Sequence, residues 1–427
     1  MTGDGRSVTR AGSRPAAADR LLLAGVSARA LAASAAQSRL LRARFPAGFV
    51  VLDYFGDADL RALAAREATV VLSLPGDLGL PRSVAALGRA ALEIDAGALV
   101  YASGFENRPR LLRILGRRLD ILGNGASEVR PVRDPAVLFP FLAAAGIPHP
   151  PTYPGRAAAP LRGGTRHLWK PIRSGGGAGI RPATHGEKRP PGHYLQRLLA
   201  GAPGSAIALA GNGGTWAVVL GVTEQLAGMR ELGGSGFRYS GNVAGPPEEL
   251  APPGAIAMLG VAASAIARRF RLRGLFGIDF LLSDGIPAIL EVNPRYSASM
   301  ELLEQISALN LLDMHLQALD GGPAPRAPLR PPAAGGPRFL AKGILYAVRS
   351  TRNRADPGSL QALGCRDVPC FGETIDAGHP ICTIVVGGGS QAACRARLVE
   401  RAGEVRRVLD SPGTADPARL WAASGSW

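Results

Sequence analysis

Two short segments carry the residues best suited to chemistry. The first runs Trp169-Lys170-Pro171-Ile172-Arg173-Ser174 into Gly175, Gly176, Gly177, Ala178 and Gly179. Lys170 closes an alternating apolar stretch, the pattern of a strand. The glycines after it let successive backbone N–H groups converge without interference from Cβ atoms, which makes an anion-binding concavity. A lysine just ahead adds a point charge suited to a di- or triphosphate. Because it precedes the glycines, the segment is not the G-x-x-x-x-G-K-[ST] phosphate loop. The glycines alone read equally well as a flexible loop in a glycine-rich chain. Lys170 argues against that, since 49 basic residues include only three lysines, Lys170, Lys188 and Lys342.

The second segment is Phe276-Gly277-Ile278-Asp279 through Pro294-Arg295. Two apolar runs flank Ser283-Asp284-Gly285-Ile286-Pro287, which reads as a β-hairpin. Glu291 and Asn293 are two apart and share a strand face. A turn centred on Gly285 places Asp279 opposite Glu291 on that same face. Three oxygen donors converging there suit Mg²⁺, which takes few carboxylates and fills its shell with water and phosphate oxygens. This geometry requires an odd-length loop, because a two-residue Asp284-Gly285 turn puts the two carboxylates on opposite faces. The competing reading is an edge hairpin with polar residues turned to solvent. A third segment, Tyr194–Gly201, is ordinary amphipathic sequence between the other two.

The rest of the chain must position these segments. From Asp19 to about Gly125, apolar strands such as LLLAGV, FVVLDYF, TVVLSL and ALVYASG alternate with Ala/Leu-rich helical runs. That alternation predicts a parallel α/β layer. Its strand ends carry Gly25-Val26-Ser27 and Ser103-Gly104-Phe105-Glu106-Asn107, and ligands of open α/β sheets sit at such carboxyl ends. A turn-rich block follows around the helix DPAVLFPFLAAAG, and AIAMLGVAASAIARRF reads as a further helix. Residues 321–337 are a Pro/Gly linker. The last block opens on strand-like FLAKGILYAV and closes on a helix near Gln391–Leu409.

Composition narrows the function. The chain has 427 residues, 46% hydrophobic, which excludes general disorder. Its formal charge of +16 comes from arginines spread along the whole length. No clustered basic stripe with interleaved aromatics is present, so nucleic-acid binding is not expected. Cys365, Cys370, Cys382 and Cys394 form no C-x-x-C pair, and the plain reading is reduced thiols in the cytoplasm. Arg29 splits the apolar run near the N-terminus, which reads better as a strand entering a helix than as a signal peptide. No uncharged run is long enough for a membrane helix. The six histidines have no ligand spacing, and no Ser-His-Asp or Cys-His set is evident.

The order of strand lysine, glycine-rich loop, hinge segment and Glu291-Val292-Asn293-Pro294-Arg295 resembles the ATP-grasp superfamily, nearest to ligases related to biotin carboxylase. The match covers roughly residues 120–315, and E-V-N-P-R preceded by I-D-F is its most specific part. The resemblance implies an α/β and α+β architecture in three parts. These are a parallel α/β pre-ATP-grasp domain at 18–125, an ATP-grasp domain at 126–320, and a small carboxylase-like β-rich domain at 338–427. They are preceded by a loose tail at 1–17 and joined by the linker at 321–337.

Carried over by motif, Lys170 resembles the lysine that contacts ATP phosphates, and Ser174, Gly175, Gly176, Gly177 and Gly179 resemble the phosphate lid. Gln196, Arg197, Leu198 and Leu199 resemble the adenine hinge, with Gln196 where glutamate is usual. Asp279, Glu291 and Asn293 match ligands of Mg²⁺ or Mn²⁺. Arg295 matches the arginine that stabilises an acyl phosphate or its tetrahedral successor. One departure is a missing upstream lysine, for which Arg130 or Arg133 stands nearby, although the two cations are not equivalent. The implied activity is ATP-dependent joining of a small-molecule carboxylate to an amine through an acyl phosphate, in a pathway of the tetrahydromethanopterin type. A homo-oligomer is compatible with it, and no membrane partner is implied. The alternative is an ATP-binding regulatory or scaffold protein without turnover.

Overall fold

The structure is a computed structural model that describes residues 17–67, 69–155, 166–330 and 336–410. Residues 1–16 of the tail at 1–17, and residues 331–335 of the linker at 321–337, lie outside them.

Five short strands open the fold: β1 (Leu21–Ala24), β2 (Phe49–Asp53), β3 (Thr69–Ser73), β4 (Ala98–Tyr101) and β5 (Asp120–Ile121). They form one parallel sheet in the order β3-β2-β1-β4-β5. Leu21, Leu22, Leu23 and Ala24 of β1 are fully buried, as a central parallel strand covered on both faces requires. This is the strand expected from the LLLAGV run. The Ala/Leu-rich run after it breaks at Ser38 into the helices Arg29–Gln37 and Arg39–Arg44. Ser38 caps the second helix by accepting from the Leu41 N–H at 3.0 Å. Among the described residues, no helix is long and apolar enough to cross a membrane.

A second, four-stranded sheet comprises β6 (Thr152–Tyr153), β7 (His167–Pro171), β8 (Arg181–Pro182) and β9 (His193–Arg197), ordered β6-β9-β7-β8. The large sheet takes in β10 (Ala202–Ala210), β11 (Ala217–Ala227), β12 (Tyr239–Ala244), β13 (Gly274–Ser283), β14 (Ile286–Asn293) and β15 (Phe339–Tyr346). A small ribbon pairs β16 (Thr351–Arg352) with β18 (Thr374–Ile375), and β17 (Cys365–Arg366) and β19 (Pro380–Gly388) return to the large sheet. Its order is β14-β13-β10-β11-β12-β15-β19-β17. Of the C-terminal strands, β15, β17 and β19 therefore extend the central sheet, and β16 and β18 pair apart from it. The closing helix, Gln391–Asp410, buries Cys394, Leu398, Ala402 and Val405 against them.

Each face of the large sheet has its own cover. On one side lies the helix Pro253–Phe270, whose Leu259, Ala262, Ala263, Ile266 and Phe270 recur at helical spacing and pack with Ala206, Ala208, Val219 and Phe276. Pro253 at its first position costs no hydrogen bond there. On the other side, the helices Ala298–Ser307 and Leu311–Leu319 lie between the large sheet and the parallel sheet. Leu303, Ile306, Leu312 and Leu316 share one core with Leu31 and Val51 of the N-terminal part and with Ile207 and Leu275.

A buried ionic network fastens the three parts at this junction. Arg29, 5% exposed, places Nη2 2.6 Å from Glu301 Oε1 and Nε 3.0 Å from Asp367 Oδ1. Lys342 Nζ reaches the other Glu301 oxygen at 3.1 Å. Asp59 accepts from the backbone N–H groups of Asp367 and Val368 at 3.0 and 2.9 Å. Burial pushes the Glu301 carboxyl up, but Arg29 and Lys342 outweigh it and hold the group below its ordinary range. Removing one member of a buried network strands its partners without water. Glu301→Ala should therefore cost about 3–5 kcal/mol in urea unfolding, and Glu301→Gln less, since it keeps an acceptor. A cost near zero for Glu301→Ala would show that solvent reaches Arg29 and Lys342.

Candidate functional site

Asp279 and Glu291 do face each other, but not through the expected loop. Ser283 pairs with Ile286, so the turn is the two residues Asp284-Gly285, both at positive φ (50° and 77°). That is the mirror-image turn preferred in hairpins, and Asp-Gly suits it. The odd residue is supplied instead by a β-bulge. Phe280 pairs with Ile289, Asp279 pairs with Glu291, and Leu290 is left over between them. The correction is to the loop, and the shared face survives.

At the base of the hairpin, Asn293 Nδ2 donates to Asp279 Oδ2 at 3.1 Å and to Glu291 Oε1 at 3.3 Å. Burial, then the neighbouring Glu291 charge, pushes Asp279 up to about 7, against the Ser205 hydroxyl and the Arg295 charge. Burial also opposes ionisation of Glu291, but Arg133 and Lys170 outweigh it and hold that group at about 2. Among the described residues, no three His, Cys, Asp or Glu groups gather into a metal cage. Two carboxylates and one amide are nevertheless the sparse set with which proteins hold Mg²⁺ beside phosphates. Set face to face on neighbouring strands with the amide beside them, these residues fit a divalent cation.

Lys170 lies on β7 opposite Tyr194 of β9, 8% exposed, with Nζ 5.8 Å from the centre of the Tyr194 ring. It donates to Gln196 Oε1 at 3.1 Å, and Gln196 Nε2 donates onward to Thr152 Oγ1 at 3.0 Å. The Gln196 side chain is thus spent inside the small sheet. Arg197 turns its side chain to solvent while its N–H bonds the Pro151 carbonyl, and the Leu198 N–H bonds the Arg166 carbonyl. Leu198 and Leu199 continue as half-buried irregular chain toward β10.

The glycine-rich loop is docked. The Tyr239 N–H donates to the Gly176 carbonyl at 2.9 Å, and Ser174 Oγ donates to the Ala178 carbonyl at 2.6 Å. Gly177 has φ 73°, and a Cβ there would stand 1.9 Å from the Phe237 carbonyl oxygen. Gly179, at φ 76°, is similarly pressed against Pro171. Gly175 faces open space. Only some of the glycines are therefore demanded by packing.

Arg295 is engaged with the N-terminal part, its Nε 2.7 Å from Glu106 Oε1. Glu106, 2% exposed, also accepts from the Gly104 N–H at 2.6 Å. The turn after β4 was legible as a ligand-type strand end, but Glu106 as the arginine's holder was not. Tyr101 and Asn124 complete the clamp by donating to the Pro294 carbonyl at 3.3 Å each. Arg130 points to solvent, whereas Arg133 reaches the hairpin, its Nη1 3.2 Å from Glu291 Oε2.

Residues 133–299 match the family model of the ATP-grasp domain. This stretch is an ATP-grasp domain. The match spans the glycine loop, the hairpin and Arg295, and the solved structures extend the likeness over nearly the whole chain. The biotin carboxylase domain of Hydrogenobacter thermophilus 2-oxoglutarate carboxylase, a dimer in complex with MgADP, ADP and bicarbonate, is similar with a TM-score of 0.64. It is 15% identical, over 89% of this chain and 88% of that one. Campylobacter jejuni biotin carboxylase gives a TM-score of 0.65 at 14% identity, over 89% and 90%. N5-carboxyaminoimidazole ribonucleotide synthetase from Thermus thermophilus gives 0.60 at 18%, over 92% and 99%. At these identities the shared property is the fold, in which a parallel sheet precedes the ATP-grasp domain and a β-containing region follows it. No curated protein matches the chain in sequence.

The raised Asp279 group has a consequence for stability. Its folded value, about 7, lies above the ordinary one near 3.9, so the folded state holds the proton more tightly than the unfolded chain. The resulting penalty on folding is absent in acid, grows between the two values and is complete above the upper one. Asp279→Asn should therefore stabilise the nucleotide-free protein more at pH 8 than at pH 5, by on the order of 1–2 kcal/mol in urea unfolding. Equal effects at both pH values would mean that Asp279 titrates normally.

Proposed function

We propose that the protein is an ATP-dependent ligase that activates a small-molecule carboxylate as an acyl phosphate and passes the acyl group to an amine. The observation that carries this reading is the meeting of one buried lysine, one docked glycine loop and a facing carboxylate pair around Arg133 and Glu291. The MgADP and bicarbonate named with the Hydrogenobacter domain support the same assignment of nucleotide, metal and acid.

In this reading Lys170 and the backbone of Ser174–Gly179 hold the phosphates, and the chain from Gln196 to Leu199 borders the base. Asp279, Glu291 and Asn293 hold Mg²⁺, or Mn²⁺, which lowers the repulsion between phosphate oxygens and an incoming carboxylate when bound. A carboxylate oxygen attacks the γ-phosphorus, the bond to the ADP oxygen breaks, and an acyl phosphate results. An amine nitrogen then attacks the acyl carbon, phosphate departs, and the nitrogen gives up a proton. Arg295, oriented by Glu106, supplies a fixed planar donor fork beside the developing oxyanion. Burial of Lys170 and docking of the glycine loop keep water from the reacting phosphate. No protein nucleophile is required.

The pathway is proposed on the resemblance alone as synthesis of a tetrahydromethanopterin-type cofactor. The intermediate that accumulates in cells lacking the protein tests that assignment. Phosphate release that requires both an acid and an amine tests the ligase itself. ATP binding without such release would leave the non-catalytic scaffold in its place.

Two substitutions separate binding from chemistry. Lys170→Ala should weaken MgATP binding roughly ten- to hundredfold by calorimetric titration, the worth of a charge-assisted contact, with the thermal midpoint little changed. Unaltered affinity would remove Lys170 from the phosphate site. Glu291→Gln nearly keeps shape while removing one charge, and should lower single-turnover phosphate transfer by more than it weakens ATP binding. An effect confined to ATP affinity would make Glu291 a ground-state ligand only.

A further inference from the structure

Arg133 sits where a cation would sit. Its Nη1 lies 3.2 Å from each of three oxygens, Glu291 Oε2, the Val292 carbonyl and Asn293 Oδ1. A carboxylate, a backbone carbonyl and a side-chain amide are the donor set of a hard divalent ion, and here a nitrogen fills their centre. The other terminal nitrogen, Nη2, donates to the Ser174 carbonyl at 3.1 Å and to Asn107 Oδ1 at 3.3 Å. One guanidinium thus joins the metal hairpin, the first residue of the glycine loop and the turn after β4. Its side chain is 10% exposed, and its Nε is buried with no partner, so one donor is still unspent.

We infer that Arg133 is a latch that occupies the oxygens of β14 in the nucleotide-free protein and must release them before a divalent cation binds. The inference rests on the ligase reading of the same cleft. The guanidinium keeps its charge at every relevant pH, so it leaves only when a stronger anion draws it away. A triphosphate held by Lys170 is such an anion, and the fork with its unspent Nε matches phosphate oxygens. Metal affinity then depends on nucleotide through one side chain. Because Nη2 holds the Ser174 carbonyl, the same movement alters the docking of the glycine loop. A lysine here would satisfy the carboxylate but could not bridge three elements from one planar group.

The test is Mn²⁺ titration of the full chain, followed by loss of the free-ion electron paramagnetic resonance signal, with and without a non-hydrolysable ATP analogue. Without the analogue, Arg133→Met should bind Mn²⁺ roughly ten- to hundredfold more tightly than the unmodified protein, and exchange amide hydrogens faster across Ser174–Gly179. Arg133→Lys retains the charge, so it should bind Mn²⁺ nearly as weakly as the unmodified protein while showing the faster loop exchange. That variant carries the test if the methionine variant fails to fold. Equal Mn²⁺ affinity of all three proteins without nucleotide overturns the latch, and the ligase reading stands if the analogue still promotes Mn²⁺ binding. Absence of Mn²⁺ binding by the unmodified protein even with the analogue removes both.

Discussion

Two carboxylates set face to face on a half-buried surface repel each other, and the arrangement of the cleft answers that repulsion. Asp279 and Glu291 are fixed by strand pairing, so they cannot separate. Positive charge is instead brought to them from three directions. Lys170 comes from the small sheet, Arg133 from the stretch before the helix Pro135–Ala144, and Arg295 from the end of β14. The Asn293 amide donates to both carboxylates. The site thus offers cationic groups suited to a polyanion and carboxylates suited to a hard cation side by side.

The N-terminal part holds both of these arginines. The carboxyl end of its β4 delivers Glu106 to Arg295 and Asn107 to Arg133. An acid facing an arginine fixes the orientation of a fork that would otherwise sample many rotamers. At the far side of the helix Ala298–Ser307, the Arg29, Glu301, Lys342 and Asp367 network sets the spacing of all three parts. Charges at that depth favour one docking geometry, since any slip leaves one of them unpaired.

How much of this was legible in the sequence follows from how local each signal is. The alternating strands of the N-terminal part, the lysine ahead of the glycines and the facing Asp279–Glu291 pair all rest on neighbouring residues. The bulge was missed because two local cues disagreed. Asp284-Gly285 is the chemistry of a two-residue turn, whereas a shared carboxylate face needs an odd offset. The disagreement was itself the clue, and the apolar pattern repeats it. Ile289 and Val292 are three apart yet both fully buried, which strict alternation does not allow. Arg133 could not be told from Arg130, since arginine is abundant throughout and only the fold turns one inward. Glu106 and Arg295 lie 189 positions apart, and Arg29 and Asp367 lie 338 apart. No spacing rule reaches such pairs. Addition of β15 and β19 to the large sheet was hidden for the same reason.

The placement of β15 beside β12 governs how the chain comes to be folded. Lys342 aligns with Asn242 and Gly343 with Gly241, a hundred positions upstream. During synthesis, β12 waits with a row of unpaired N–H and C=O groups until Phe339–Tyr346 emerges, and an exposed strand edge of that kind recruits any other extended segment within reach. The half-made sheet is therefore most vulnerable to mispairing while its Asp279–Glu291 hairpin is already complete. Severing the chain after the Pro/Gly stretch would make that transient edge permanent. A fragment ending there would keep every candidate active-site residue and aggregate through β12.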